Sequence, residues 1–144
     1  MALTVKKIKL WRREVDNKPG ALAATLEPLT KAGVDLQVLM GYRFPGHESM
    51  AAIELFPISG KKQSSAESAG LKPSTIPALL IDGDNKQGLA YAIANALANA
   101  GINLDFMVAQ AIGRRYTAVL GFESETDATN ATGLIRRAAG SKKR

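Results

Sequence analysis

The 144-residue chain has no cysteine. Disulfides, thiol nucleophiles and thiolate metal sites are excluded, while the absence is neutral about compartment. Histidine occurs once, as His47 in the turn-forming stretch Phe44-Pro45-Gly46-His47-Glu48, with no sequence-near partner for a metal site or a catalytic triad. Aromatic residues are few, and Tyr42, Tyr91 and Tyr116 read as packing residues. No apolar run approaches the roughly 18 residues of a membrane-spanning helix. The opening Met1-Ala2-Leu3-Thr4-Val5-Lys6-Lys7 carries no apolar secretory segment, so the cytoplasm is the default location. No Gly-rich phosphate loop of standard spacing occurs, and Ser64-Ser65 fits no nucleophile elbow. With no acid–base pair, nucleophile or metal set in view, neither an enzyme nor a cofactor is expected.

An acidic excess is also missing: the net charge is +6. The positive charge is scattered in pairs, Lys6-Lys7, Arg12-Arg13, Lys61-Lys62, Arg114-Arg115 and Arg136-Arg137, rather than gathered in one stripe. That pattern favours a solvated surface over a nucleic-acid partner. Lys142-Lys143-Arg144, after Gly140-Ser141, read as a flexible basic tail.

What the chain does have is a packed-core composition, 46% hydrophobic, and an internal repeat. Asp16-Asn17-Lys18-Pro19-Gly20-Ala21-Leu22 returns as Asp84-Asn85-Lys86-Gln87-Gly88-Leu89-Ala90 at an offset of 68. Over 16–36, nine of 21 positions are identical at that offset, where chance gives on the order of one or two. One structural unit is used twice. The chain divides into a first module, 1–74, with a linker or weak helix over 58–75, and a second, 75–144, with 140–144 as tail.

The first module reads as a strand over 8–15, a helix opened by Pro19 and Gly20 and running to about Ala32, strands over 34–40 and 50–56 around the Pro45-Gly46 turn, and a short edge strand over 71–76. Leu22, Leu26 and Leu29 form the helix's apolar stripe. Pro28 should bend that helix. The second module repeats the order: a strand over 77–81, a helix over 87–100, a hairpin of 102–111 and 116–123 around Gly113, and a helix over 125–139. The fold class is α+β: two ferredoxin-like βαββαβ modules, each an antiparallel sheet with its helices on one face. At about 70 residues each, the modules should share an interface.

Asp16, Pro19, Gly20 and Leu22, followed by Ala32-Gly33-Val34-Asp35-Leu36, resemble the ACT domain, and Asp84, Gly88 and Leu89 with Ala100-Gly101-Ile102-Asn103-Leu104 do so again. The resemblance covers nearly the whole chain and identifies a stand-alone tandem ACT protein. It implies a regulatory module that binds a small ligand, most often a free amino acid, at the loop between first strand and first helix, facing the second strand of a partnered module. It also implies a homodimer and an enzyme that reads the signal. Two departures stand out: Gln87 replaces the motif's proline, and no final strand follows Gly140. The second copy is then incomplete at one edge, or the first lends it strand surface.

The loop chemistry suits such a ligand. A helix start offers unpaired N–H groups and a positive dipole end, worth about 0.3–1 kcal/mol to an anion. The N–H groups of Gly20, Ala21 and Leu22, and of Gly88, Leu89 and Ala90, are placed for a carboxylate. Asp16 or Asp84 suits an ammonium, and Asn17, Asn85 and Asn103 can donate and accept together. Pro19 and Gln87 complete the two loops. The stretches 34–39 and 102–107 would form the wall that sorts side chains. The same Asp-Asn and Pro-Gly pattern is also what an ordinary strand-to-helix turn wants. The alternative function is a protein–protein interaction module without a metabolite.

Overall fold

The computed structural model describes residues 3–140, in two compact units: 9–75, the first module, and 3–8 with 76–140, the second. Each carries a four-stranded antiparallel sheet with two helices on one face.

The first module comprises β2 (Trp11–Asp16), α1 (Ala21–Lys31), β3 (Val38–Phe44), β4 (His47–Phe56), α2 (Lys62–Ser68) and β5 (Lys72–Pro73), in the sheet order β3-β4-β2-β5. Pro45 and Gly46, with φ 78° at the glycine, close the β3–β4 hairpin as a type II turn needs. α1 runs unbroken through Pro28. Its inward line is Ala21, Thr25 and Leu29, spaced i, i+4, i+8. The leucine stripe expected from the sequence is rotated: Leu29 is buried, but Leu22 is 43% exposed. Thr25 goes inward because its hydroxyl bonds the Ala21 carbonyl and receives Arg13 Nη1 at 2.8 Å, so no polar atom is left bare.

The second module comprises β1 (Thr4–Ile8), β6 (Ala78–Asp84), α3 (Leu89–Asn99), β7 (Leu104–Ile112), β8 (Arg115–Phe122) and α4 (Glu125–Gly140), in the order β1-β6-β8-β7. β1 pairs antiparallel with β6 from Thr4↔Asp82 to Ile8↔Ala78. This corrects the division at 74: the strand expected over 8–15 corresponds to β2, and β1, a separate strand before it, serves the other sheet. It takes the edge that a final strand after α4 would otherwise fill. Leu3 and Val5 thereby enter the core with Leu79, Ile81, Phe122 and Ile135, and Arg136 donates to the Val5 carbonyl at 2.9 Å. α3 buries Leu89, Ile93 and Leu97. α4 starts on Ser124, whose hydroxyl accepts the Asp127 N–H, and places Glu125 and Asp127 in the first turn and Arg137 in the last, as the helix dipole favours. Gly140, expected to begin a tail over 140–144, is instead its last residue; 141–144 lie outside the described residues.

Candidate functional site

The repeat extends to the backbone hydrogen bonds of the two loops. Asn17 N–H donates to Ser49 O, Ala21 to Lys18 O and Ala24 to Gly20 O, at 2.8, 3.3 and 2.9 Å. In the second loop Asn85 donates to Arg114 O, 65 residues beyond Ser49, and at the 68-residue offset Leu89 donates to Lys86 O and Ala92 to Gly88 O, at 2.7, 3.2 and 2.9 Å. Gly20 and Gly88 precede their helices at φ 90° and 80°, a left-handed conformation that a side chain would strain by about 1–3 kcal/mol. Both helices end alike, with Val34 N–H on Leu29 O and Ile102 N–H on Leu97 O, each 3.0 Å, beyond the left-handed Gly33 and Gly101. The N–H groups of Ala21 and Leu89 are thus already engaged. The donors each helix start still offers are those of the next residues, Leu22 and Ala23 or Ala90 and Tyr91.

Asp16 and Asp84 end β2 and β6, opposite Met50 and Arg115. Asn17 stitches its loop to β4, its side chain donating to Glu48 O at 2.8 Å. Pro19 and Gln87 sit in the two exposed turns, and Asn85 beside the β7–β8 hairpin tip. Asn103 does not join them. It lies next to Leu104, which pairs with Phe122, whereas the 85–88 loop lies at the Arg115 end of β8, and its side chain donates to Glu123 at 3.0 Å. The expected wall is corrected for the same reason: Val34 and Leu36 pack into the core, and the part of β3 beside the loop is Gly41–Arg43.

Two clefts flank the 17–20 loop. One, of about 250 Å³, lies between the start of α1 and β3–β4, with Asp16, Asn17, Lys18, Ala21 and Leu22 on one side and Gly41 and Ile53 on the other. The second, of about 520 Å³, runs past Arg13, Glu14, Lys18 and Gly20. Beyond Arg12, β2 has no partner strand on this side, because β5 pairs only with Trp11 and Arg12. Among the described residues no carboxylate lies within 4.0 Å of the Arg13 guanidinium.

The sheet face away from the helices carries a feature that sequence reasoning missed. Glu54 is fully buried; its Oε2 accepts the Tyr42 hydroxyl at 2.5 Å and lies 3.8 Å from Arg12 Nε, while its Oε1 has no partner. Arg12 also donates to Glu14 at 2.6 Å and stacks on Phe44. A lone acid in the apolar run Ala51–Phe56 was the available signal. Burial, then the bond to Glu54, raises the Tyr42 pKa, and burial raises that of Tyr116. Folded protein therefore holds two phenol protons that the unfolded chain releases near pH 10, the usual tyrosine value. Their contribution to stability is complete below pH ~10 and is lost as pH rises through the folded-state values. An ultraviolet tyrosinate titration should show two of the three tyrosines ionising late, together with alkaline unfolding.

Among the described residues no group of acids and histidines could hold a metal ion, and no helix is long and apolar enough to cross a membrane. No family model and no curated protein matches the sequence. Solved structures do match. Protein BT0572 from Bacteroides thetaiotaomicron superposes at a TM-score of 0.73, with 16% identity over 90% of this chain and 88% of that one. The ligand-free regulatory subunit of aspartate kinase from Thermus thermophilus gives 0.63, with 14% identity over 96% and 97%. Aspartate kinase from Clostridium acetobutylicum gives 0.58, with 14% identity; this chain is covered to 94% but spans 34% of that one. These neighbours include regulatory subunits that the chain matches almost end to end. The chain shares the fold of these regulatory subunits, a pair of ACT-like modules.

Proposed function

We propose that the chain is a non-catalytic regulatory protein that binds a free amino acid at its strand–helix loops, 16–22 and 84–89. It would work as a cytoplasmic homodimer and relay occupancy to an enzyme partner. The observation that carries this reading is the 250 Å³ cavity beside the first loop, which combines an acid, a cation and a helix start at one end with apolar walls at the other. Asp16 suits the ammonium, and Lys18 with the free N–H groups of α1 suits the carboxylate. Likeness in fold to the regulatory subunit of aspartate kinase supports a regulatory role.

A thermal-shift screen against the proteinogenic amino acids tests it. At ten times the dissociation constant a ligand stabilises by about 1.4 kcal/mol, a rise of roughly 3–5 °C for a chain of this size. Leu22→Asp places a carboxylate at the cavity mouth, in a first helical turn that tolerates acids. It should weaken binding at the first loop at least tenfold and leave the fold intact; Ala90→Asp is the matching probe of the second. Substitution of Gly20 or Gly88 is a poorer test, since their positive φ adds strain. A flat screen overturns the reading and leaves the interaction module.

A further inference from the structure

Gly41 occupies the interior of β3, where glycine weakens a strand. Its φ lies outside the left-handed region, so the backbone does not require glycine, and an added Cβ would meet no atom within 4 Å. What lies above it is the 250 Å³ cavity. Strand register supplies the comparison with the second module. Val15 pairs with Ala51 as Gly83 pairs with Tyr116, and Gly41 pairs with Ile53 as Ala109 pairs with Ala118. Around the loop, Ala21, Thr25 and Ala51 in the first module thus stand where Leu89, Ile93 and Tyr116 stand in the second. Those three larger side chains are packed in the core, at 2%, 0% and 5% exposure, and the Tyr116 hydroxyl is buried without a partner. At these three positions the second module carries the larger side chains, while its Gly83, Ala90 and Ala118 are smaller than Val15, Leu22 and Ile53.

Resting on the amino-acid reading above, we propose that the chain binds one ligand, in the first module only, with an aliphatic side chain seated over Gly41. The walls that would meet that side chain, Val15, Ala21, Leu22, Ala51 and Ile53, carry no polar side-chain atom. An amide or cationic side chain would lose its water against these walls without gaining a carboxylate partner. Asp16, Asn17 and Lys18 line the loop end, where the backbone of the amino acid would lie, and Tyr42 and Arg43 follow Gly41 on β3.

Calorimetric titration of the full chain with L-valine, L-isoleucine and L-leucine, and with L-lysine and L-aspartate for contrast, tests this. The expected result is one site per chain, filled by an aliphatic member at least tenfold more tightly than by the charged pair. Gly41→Leu should abolish that binding without lowering the melting temperature, because the strand gains a side chain in open space; Gly41→Ala should weaken it. Two sites per chain, unchanged affinity in Gly41→Leu, or preference for a charged amino acid overturns this inference and leaves the amino-acid reading standing. No heat with any amino acid, joined to a flat thermal screen, overturns both.

Discussion

Val5→Asp should dismantle the sheet of the second module and leave that of the first intact. Val5 is 2% exposed, sits opposite Ile81 on β6 and belongs to the core with Leu79 and Phe122. A carboxylate there is desolvated with no cation built to receive it; the nearby Arg136 is bonded to the Val5 carbonyl. The loss should be on the order of 4 kcal/mol, combining an unpaired buried charge with a missing apolar side chain. Amide hydrogen exchange locates the damage: protection should collapse over 78–84 and 115–122 and persist over 11–16 and 51–56. If protection were lost over 11–16 instead, Val5 would belong with the first module, where the division at 74 placed it, and the strand assignment would be wrong.

Gly121→Ala carries the second large effect, for a steric reason rather than a conformational one. A Cβ on Gly121 would stand 2.3 Å from Phe106 Cε2, and two further ring carbons lie within 2.8 Å. The ring lies flat across the glycine because β7 is irregular between Leu104 and Phe106. Either the ring swings out, exposing apolar surface, or β7 shifts against β8; overpacking of this sort destabilises by about 2–3 kcal/mol. The double variant with Phe106→Ala should lose clearly less than the sum of the two single changes, because the clash is gone. Additive losses in equilibrium urea unfolding would show that the glycine is needed for another reason.

How far these features were legible in the sequence depended on their range. Signals confined to a few residues were readable: the Pro45-Gly46 and Gly113 turns and the helix start at Pro19 and Gly20. The repeat was readable because its loops make the same hydrogen bonds twice. The role of β1 was not. Nothing local to Thr4–Ile8 says which of two open sheet edges it joins, and a strand that continues into β2 is the simpler reading of 8–15. Asn103 and the supposed wall at 34–39 went astray because sequence nearness to a helix end does not say which end of the sheet a residue occupies. Counting back from the Pro45-Gly46 turn would have brought Gly41–Arg43 to the loop. The helical stripe misread Leu22 because spacing alone does not distinguish Leu22–Leu26–Leu29 from Ala21–Thr25–Leu29. Arg13, reaching Thr25 from beneath α1, decides between them.

The proposed single site rests on a difference between the two copies. One loop opens onto a cavity, and its counterpart is backed by Leu89, Ile93 and Tyr116. A duplicated module freed from binding in one copy can serve packing or partner contact there while the other keeps a ligand. Differential affinity of that ligand for two arrangements of the chain is all a regulatory signal requires.

The most direct measurement is residue-resolved amide chemical-shift mapping during titration with free amino acids. A single site in the first module gives saturable shifts in 17–22 and 41–43, with the equivalent positions 85–90 and 109–111 unmoved. Shifts centred on 85–90, or none anywhere at millimolar amino acid, would contradict it.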